Sequence, residues 1–228
     1  MSLILNIDTA SEKAHVSFAK DGLVVNSLSS ESQKEHASFL QTAIQQLTKN
    51  TGMSLNDIDA VAVTAGPGSY TGLRVGMASA KGLCYALKKP FITISSLEVL
   101  TRSALDLFQN AGESVLLCPM IDARRMEVFT AVYQNDLSVY MRPCAMILDE
   151  FSFERELSKD KILFFGTGSD KWRLICNNEN AAFEHVSILP EAMSRQSNLY
   201  YAENKFTELA YSEPFYLKEF QTVIKKPI

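Results

Sequence analysis

The hydrophobic pattern of the first third of the chain changes from short strand-like runs to a helical period. Apolar runs and strict alternation predict strands over 3–7, 14–19 and 23–30, with an Asp21-Gly22 hairpin turn between the last two. Apolar residues at spacings of three and four then predict a helix that ends at Gly52. The chain therefore opens with three strands and a helix.

A further apolar run, over 60–65, is followed by a glycine-rich turn and a long apolar segment over 73–87. This predicts a buried strand, a tight turn and a helix. The order β-β-β-α-β-α, with a first strand that ends in Asp8-Thr9, is typical of a ribonuclease-H-like half of the actin fold. We therefore predict that residues 1–110 form such a lobe.

The remainder of the chain shows the same pattern in a reduced form. A strand over 91–94 and a helix that is opened by a capping box, Ser95-x-x-Glu98, complete the first lobe, and Gly112 marks the passage to the second. Further strands and short helices follow, until Pro190 opens a last helix. The predicted class is α/β, an actin-like (ASKHA) fold of two lobes. The second lobe, over 111–228, is smaller, and its last helix and tail pack back on the first.

The glycine-rich turn, GPGSYTGLRVG over 66–76, is the most distinctive stretch. Backbone N–H groups at a turn between a strand and a helix can bind an anion, although the Lys-Ser/Thr pair of a Walker loop does not follow here. One interpretation is a nucleotide site formed by Asp8, Thr9, Gly66, Gly68, Ser69, Thr71 and Arg74. The alternative is a tight turn that binds nothing, in which Ser69 or Thr71 caps the helix and the glycines admit close packing.

Composition and charge narrow the function classes. The net charge is −4, which argues against autonomous nucleic-acid binding. Three histidines that lie far apart exclude a helical H-x-x-x-H metal pair, so we predict no metal site. Four widely spaced cysteines indicate core thiols in a reducing compartment. With neither a signal peptide nor a membrane span in the pattern, we predict a cytoplasmic protein without membrane contact.

The helix over 73–87 carries apolar or small residues on nearly every side, and the first helix has glutamines where charges would be expected. One lobe buries one face of each helix. We therefore predict that a partner packs against a seam of the two helices formed by His36, Leu40, Ala43, Leu47, Leu73, Gly76, Met77, Ala80 and Cys84. The alternative is that the protein's own second lobe covers this surface.

The glycine-rich turn, ILNIDTA at the start and IDARRMEVF around Asp122 together resemble the TsaB (YeaZ) family over nearly the whole chain. Lys218 stands where that family usually has an arginine. The resemblance implies a non-catalytic subunit required to form N6-threonylcarbamoyl on adenosine 37 of tRNAs that read codons beginning with A. It implies a homodimer when alone, pairing with the catalytic TsaD subunit through the N-terminal helices, docking of the ATPase TsaE, and tRNA contact through the complex. The family was once described as glycoprotease-like, but the three histidines of this chain do not form the metal-binding pair that such an activity would need.

A second hypothesis is an autonomous actin-fold ATPase or phosphotransferase, favoured by Asp8-Thr9 and the glycine-rich turn. It is disfavoured because Asp122-Ala123-Arg124, at the corresponding turn of the second lobe, places cations beside the carboxylate. That arrangement predicts an internal ion pair instead of a magnesium site. No cofactor is expected for the isolated chain, with ATP or ADP left as a candidate ligand of the assembled complex.

Overall fold

The computed structural model describes residues 1–30, 36–108 and 115–218, in which ten strands form two five-stranded sheets. The first sheet has the order β3-β2-β1-β4-β5 and the second β10-β9-β6-β7-β8. The strands of the first sheet are β1 (Leu3–Asp8), β2 (His15–Lys20), β3 (Leu23–Ser29), β4 (Ala60–Gly66) and β5 (Phe91–Ser95). Those of the second are β6 (Leu116–Asp122), β7 (Glu127–Tyr133), β8 (Val139–Ile147), β9 (Ile162–Phe165) and β10 (Ala181–Glu184).

Six α-helices accompany the strands in the described residues. They are α1 (His36–Thr51), α2 (Tyr70–Leu87), α3 (Ser96–Leu107), α4 (Glu154–Leu157), α5 (Ser169–Arg173) and α6 (Pro190–Ala202). In each sheet the first two strands along the chain are antiparallel, and the first strand also pairs in parallel with a strand that follows a helix. The strands and helices of the first lobe thus lie where the hydrophobic pattern predicts them.

Alternation along the central strands of the first sheet decides which helices cover which face. Leu5 and Val61 point to the side on which α1 and α2 pack, whereas Ile4 and Ala62 point to the opposite side. On that opposite side, α3 and α6 lie between the two sheets and join them into one apolar cluster. The helices α4 and α5 cover the outer face of the second sheet, around the buried Trp172.

Several local predictions are wrong. Ser95 is the N-cap of α3, but its side chain makes no capping hydrogen bond, and Glu98 accepts hydrogen bonds from Gln196 and Tyr200, so no capping box forms. The strand β10 is not predicted by the sequence pattern. Gly112 and the boundary between residues 110 and 111 lie outside the described residues.

Candidate functional site

The turn that follows β1 packs directly into the glycine-rich turn and the first helical turns of α2. A Cβ on Gly68 would overlap the carbonyl oxygen of Ala10, and one on Gly72 would overlap the carbonyl oxygen of Thr9. A Cβ on Gly76 would overlap Oγ1 of Thr9. These glycines are therefore required for close contact between two segments of the chain itself.

Hydrogen bonds fix this contact and engage Thr9, Ser69 and one of the two carboxylate oxygens of Asp8, whereas Oδ2 of Asp8 is buried without a hydrogen-bond partner. Thr9, fully buried, donates from Oγ1 to the carbonyl of Gly72 at 2.8 Å. Oδ1 of the buried Asp8 accepts from Thr64 Oγ1 at 2.7 Å and from the backbone N–H of Ala10 at 3.0 Å. Ser69 caps α2 by accepting from the N–H of Gly72.

The C-terminal tail covers the other side of the glycine-rich turn. The N–H of Phe215 donates to the carbonyl of Ala65 at 2.6 Å, and the carbonyl of Phe215 fills the space beside Gly66, whose φ is +114°. The guanidinium of Arg74 lies 4.1 Å from the ring centroid of Tyr70 and donates to the hydroxyl of Tyr216 at 3.1 Å.

The predicted nucleotide residues thus meet in space but do not form a phosphate cradle. Of the two residues predicted as alternatives for capping α2, Ser69 is the cap, and Thr71 is exposed on the helix. Asp8, Thr9, Gly66, Gly68 and Ser69 face one another or the tail, and Arg74 is held by two tyrosines, so this set does not fit a nucleotide. The interpretation as a close-packed turn accounts for every contact.

The corresponding turn of the second lobe is closed by an ion pair. Nζ of Lys171 lies 2.7 Å from Oδ1 of Asp122 and also donates to the carbonyls of Arg125 and Glu127. Partial burial raises the pKa of Asp122, but the Lys171 hydrogen bond and the N–H of Arg124 outweigh burial and lower it. An internal ion pair was predicted here with the neighbouring arginines, and the structure corrects its partner to Lys171.

The seam predicted to face a partner is buried inside the protein. All nine residues are buried, and Leu40, Leu47 and Ala80 have no exposed surface. The predicted partner surface is therefore on the wrong face of the two helices. The most apolar stripe of each helix packs against the first sheet. The nine residues that were predicted as partner surface and are instead buried are His36, Leu40, Ala43, Leu47, Leu73, Gly76, Met77, Ala80 and Cys84.

The opposite face of the two helices, which we call the outer face, is formed by Gln41, Gln45, Ala78, Ser79, Gly82, Tyr85 and Ala86. Gln41 Nε2 donates to Ser79 Oγ at 3.2 Å and joins the two helices there. Tyr85 is 81% exposed, and a Cβ on Gly82 would meet no atom within 4 Å. The structure of the chain itself therefore gives no packing reason for glycine at position 82.

The charges of α2 are drawn away from the outer face by the tail. Nζ of Lys81 donates to the carbonyls of Ala210 and Ser212, at 3.2 and 2.9 Å, while Arg74 is held at Tyr216. The exposed position of α2 between these two contacts is Ala78, and the exposed positions that follow Lys81 on the helix are Gly82, Tyr85 and Ala86. The outer face is thus an uncharged surface with one large exposed side chain.

A second feature, which the sequence analysis did not predict, is a polar cluster that lines a cavity of about 650 Å³ between the two lobes. Glu98 accepts hydrogen bonds from Gln196 Nε2 and from the Tyr200 hydroxyl, the latter at 2.9 Å to each carboxylate oxygen. Burial raises the pKa of Glu98, against the opposing hydrogen bond from Tyr200 and the charges of Lys205 and Arg102. The spacing Ser95-x-x-Glu98 predicts a helix cap, so the sequence pattern does not indicate that Glu98 accepts hydrogen bonds from Gln196 and Tyr200 in this cluster.

The raised pKa of Glu98 predicts how stability depends on pH. The folded state holds this proton more tightly than the unfolded state, so the stabilisation is complete below the ordinary pKa of 4.5 and is lost as pH rises through the raised pKa. We expect Glu98→Gln to gain stability relative to the parent protein as pH increases across that window. Urea unfolding of both proteins at a series of pH values measures this, and parallel curves would contradict it.

The part of the chain that the structure describes contains neither a group of metal-ligating side chains nor a membrane-spanning helix. Over residues 1–30, 36–108 and 115–218, no three His, Cys, Asp or Glu side chains are grouped to hold a metal ion. No described helix has the length and apolar character to cross a membrane. Cys84 and Cys118 are buried free thiols, and burial raises the pKa of Cys84 to about 12.

Comparison with known proteins gives relatives over almost the full length. The family model for TsaD, tRNA N6-adenosine threonylcarbamoyltransferase, matches residues 23–219. The tRNA threonylcarbamoyladenosine biosynthesis protein TsaB of Escherichia coli (strain K12) is 32% identical over 223 residues, which is 94% of each chain.

Solved structures give the same fold. A Pseudomonas aeruginosa protein described as similar to the peptidase YeaZ has a TM-score of 0.82 at 23% identity, over 96% of this chain and 100% of that chain. The inorganic polyphosphate/ATP-glucomannokinase of Arthrobacter sp. strain KM has a TM-score of 0.50 at 10% identity, over 90% and 100%. At these identities the likeness concerns the fold alone, and it confirms the predicted actin-like class.

Proposed function

The chain belongs to the TsaB family of tRNA threonylcarbamoyladenosine biosynthesis proteins and so has a role in that tRNA modification, and from this premise we propose that it acts as a non-catalytic subunit. In this proposal it activates a TsaD-type catalytic subunit in the cytoplasm. The observation that carries the proposal is that the turn after β1 and the turn after β6 are both closed by internal contacts, while the outer face of α1 and α2 is exposed and uncharged.

The closed turns argue against an independent phosphotransferase. An in-line phosphoryl transfer needs donors and a metal aimed at the phosphate from both lobes. Here Thr9 is buried against Gly72, and Asp122 is neutralised by Lys171. Opening either turn would separate groups that are already hydrogen-bonded, so nucleotide is proposed only for the assembled complex and not as a cofactor of the chain alone.

The outer face of α1 and α2 supports helix-to-helix docking. Gly82 and its small neighbours Ala78 and Ala86 let a second helix approach closely, near the 8 Å end of the usual ~8–10 Å range. Tyr85 supplies an exposed aromatic side chain of the kind that anchors interfaces. Stable interfaces bury roughly 1,200–2,000 Å² in total, which two helices from each chain approach.

The partner proposed for this face is a TsaD-type subunit, with a second copy of this chain taking its place when the chain is alone. A TsaD family model matches residues 23–219, so both partners are expected to carry the same helix pair. Like-with-like packing of this kind gives a closed, nearly two-fold assembly. TsaE would dock on the assembled pair, and a net charge of −4 leaves tRNA binding to the complex.

Reconstitution of the modification tests this function. We expect the isolated chain to turn over little or no ATP and to modify no tRNA. With tRNA, ATP and a threonylcarbamoyl donor supplied, we expect its addition to a TsaD-type subunit and TsaE to start threonylcarbamoylation. Asp8→Asn should keep this activating effect. Turnover of ATP by the isolated chain at the ~1–100 per second of kinases, lost in Asp8→Asn, would instead establish the phosphotransferase hypothesis.

A further inference from the structure

The cavity between the lobes lies on the opposite side of the first sheet from the outer face of α1 and α2. Its walls come from α3, the second half of α6, the turn between β7 and β8, and the tail. A volume of about 650 Å³ is in the range of cavities that hold small organic ligands. The wall carries both polar and apolar side chains, among them Glu98, Arg102, Leu199 and Phe215.

Five charged side chains line this cavity: Glu203 and Lys205 form an ion pair, Asp136 lies in the turn between β7 and β8, and Glu98 and Arg102 have opposite charges but do not pair with each other. Glu98 and Arg102 lie one turn apart on α3, at the spacing where an ion pair forms most readily. Instead the amide of Gln196, which is 2% exposed, lies between them. Its Nε2 donates to Glu98 Oε1, while its Oε1 accepts from Arg102 Nε and Nη2 at 3.4 and 3.3 Å. Each charge therefore remains available to a ligand.

The hydrogen-bonding capacity of the two groups is only partly used. A guanidinium has five N–H donors, and in the described residues those of Arg102 reach one acceptor, the Gln196 oxygen, at the long end of the normal range. On the carboxylate, Oε2 of Glu98 accepts from Tyr200 alone, whereas Oε1 accepts from both Tyr200 and Gln196. The pair thus presents a donor fork and an acceptor at a separation that one glutamine amide spans.

We propose that this cavity binds a small zwitterion of the α-amino acid class. Its carboxylate pairs with the guanidinium of Arg102, and its ammonium group donates to Oε2 of Glu98. Leu199 and Phe215, which line the same cavity, contact its side chain. The site shares no residue with the outer face, so this inference stands or fails independently of partner docking.

Calorimetric titration of the full chain with each common L-amino acid tests the site. We expect at least one of them to give saturable heat and to raise the melting temperature, whereas its N-acetyl and carboxamide derivatives give neither. Arg102→Gln should weaken binding by about tenfold or more. Arg173→Gln, a charge removal at an exposed position of α5, should leave the affinity unchanged.

Three results would overturn the proposal, and two need no variant. One is that the folded parent protein gives no saturable heat with any L-amino acid at millimolar concentration. Another is equal binding of the N-acetyl or carboxamide derivative, because these lack one of the two charges. The third is unchanged affinity in a folded Arg102→Gln protein. Partner capture by Arg102→Gln should equal that of the parent protein in every case.

Discussion

Ala80→Arg is expected to prevent folding of the chain. Ala80 has no exposed surface and lies in the apolar cluster between α1, α2 and the first sheet. An unpaired guanidinium there loses its hydration without gaining a partner, at a cost of several kcal/mol. That cost is comparable with the whole stability of a domain, about 5–15 kcal/mol. Far-UV circular dichroism and a thermal melt of the purified variant measure the effect.

Ala78→Arg is the matched control for that variant. Ala78 is two residues earlier on the same helix and exposed, so the same side chain reaches water there. We expect this variant to fold with a stability within ~0.5 kcal/mol of the parent protein. A folded Ala80→Arg protein with the melting temperature of Ala78→Arg would show that the inner and outer faces of α2 are assigned wrongly.

The second large effect is expected from adding a methyl group at the glycines of α2. In Gly72→Ala the new Cβ would overlap the backbone carbonyl of Thr9, which can move only with the turn after β1. In Gly76→Ala it would overlap the Thr9 side chain, which has some freedom to rotate. We expect losses of about 1–3 kcal/mol or more, larger for Gly72. Urea unfolding of each variant gives these values.

Gly82→Ala provides the opposite outcome on the same helix. A Cβ at this exposed position meets nothing, so replacing glycine should stabilise the isolated chain by roughly 0.5–1 kcal/mol. If the glycines formed a phosphate cradle instead of a packing surface, Gly72→Ala would keep the stability of the ligand-free parent protein. Normal stability of Gly72→Ala would therefore contradict the close-packed turn.

The elements of the first lobe could be predicted because each is specified by local pattern. Alternation, the Asp21-Gly22 turn and the cap at Ser69 act over a few residues, and the structure confirms strands and helices where they indicate. The short strand β10 could not be predicted, because it pairs in parallel with β9 across an intervening helix. Its pairing depends on contacts that are not local in sequence.

The predicted partner surface lies on the wrong face of the two helices for a physical reason. When a helix is apolar on several sides, one side packs against its own sheet and another side can bind a partner. Hydrophobicity alone does not identify the side that is buried. The seam with Leu73 and Ala80 is the more apolar stripe and is the buried one. Glycines at 76 and 82 look alike in the sequence, yet Thr9 fills the space beside the first while the second faces open space.

The cluster around Glu98 could not be predicted because its members come from distant parts of the chain. Gln196 and Tyr200 lie about a hundred residues further on, on α6, and meet Glu98 only because α3 and α6 pack between the sheets. The tail contacts at Arg74 and Lys81 are of the same kind. Such long-range polar contacts leave no periodic signal.

The most direct measurement of the central claim uses Gly82→Arg, a charge placed in the middle of the outer face. The claim is that this face binds the TsaD-type subunit. Circular dichroism should show a folded protein, while a pull-down with a tagged TsaD-type subunit should show capture reduced by about a hundredfold or more, because the charge would be buried unpaired in the interface. Threonylcarbamoylation in the reconstituted system should fall with it. Folded Gly82→Arg that captures the subunit at the strength of the parent protein would contradict the claim.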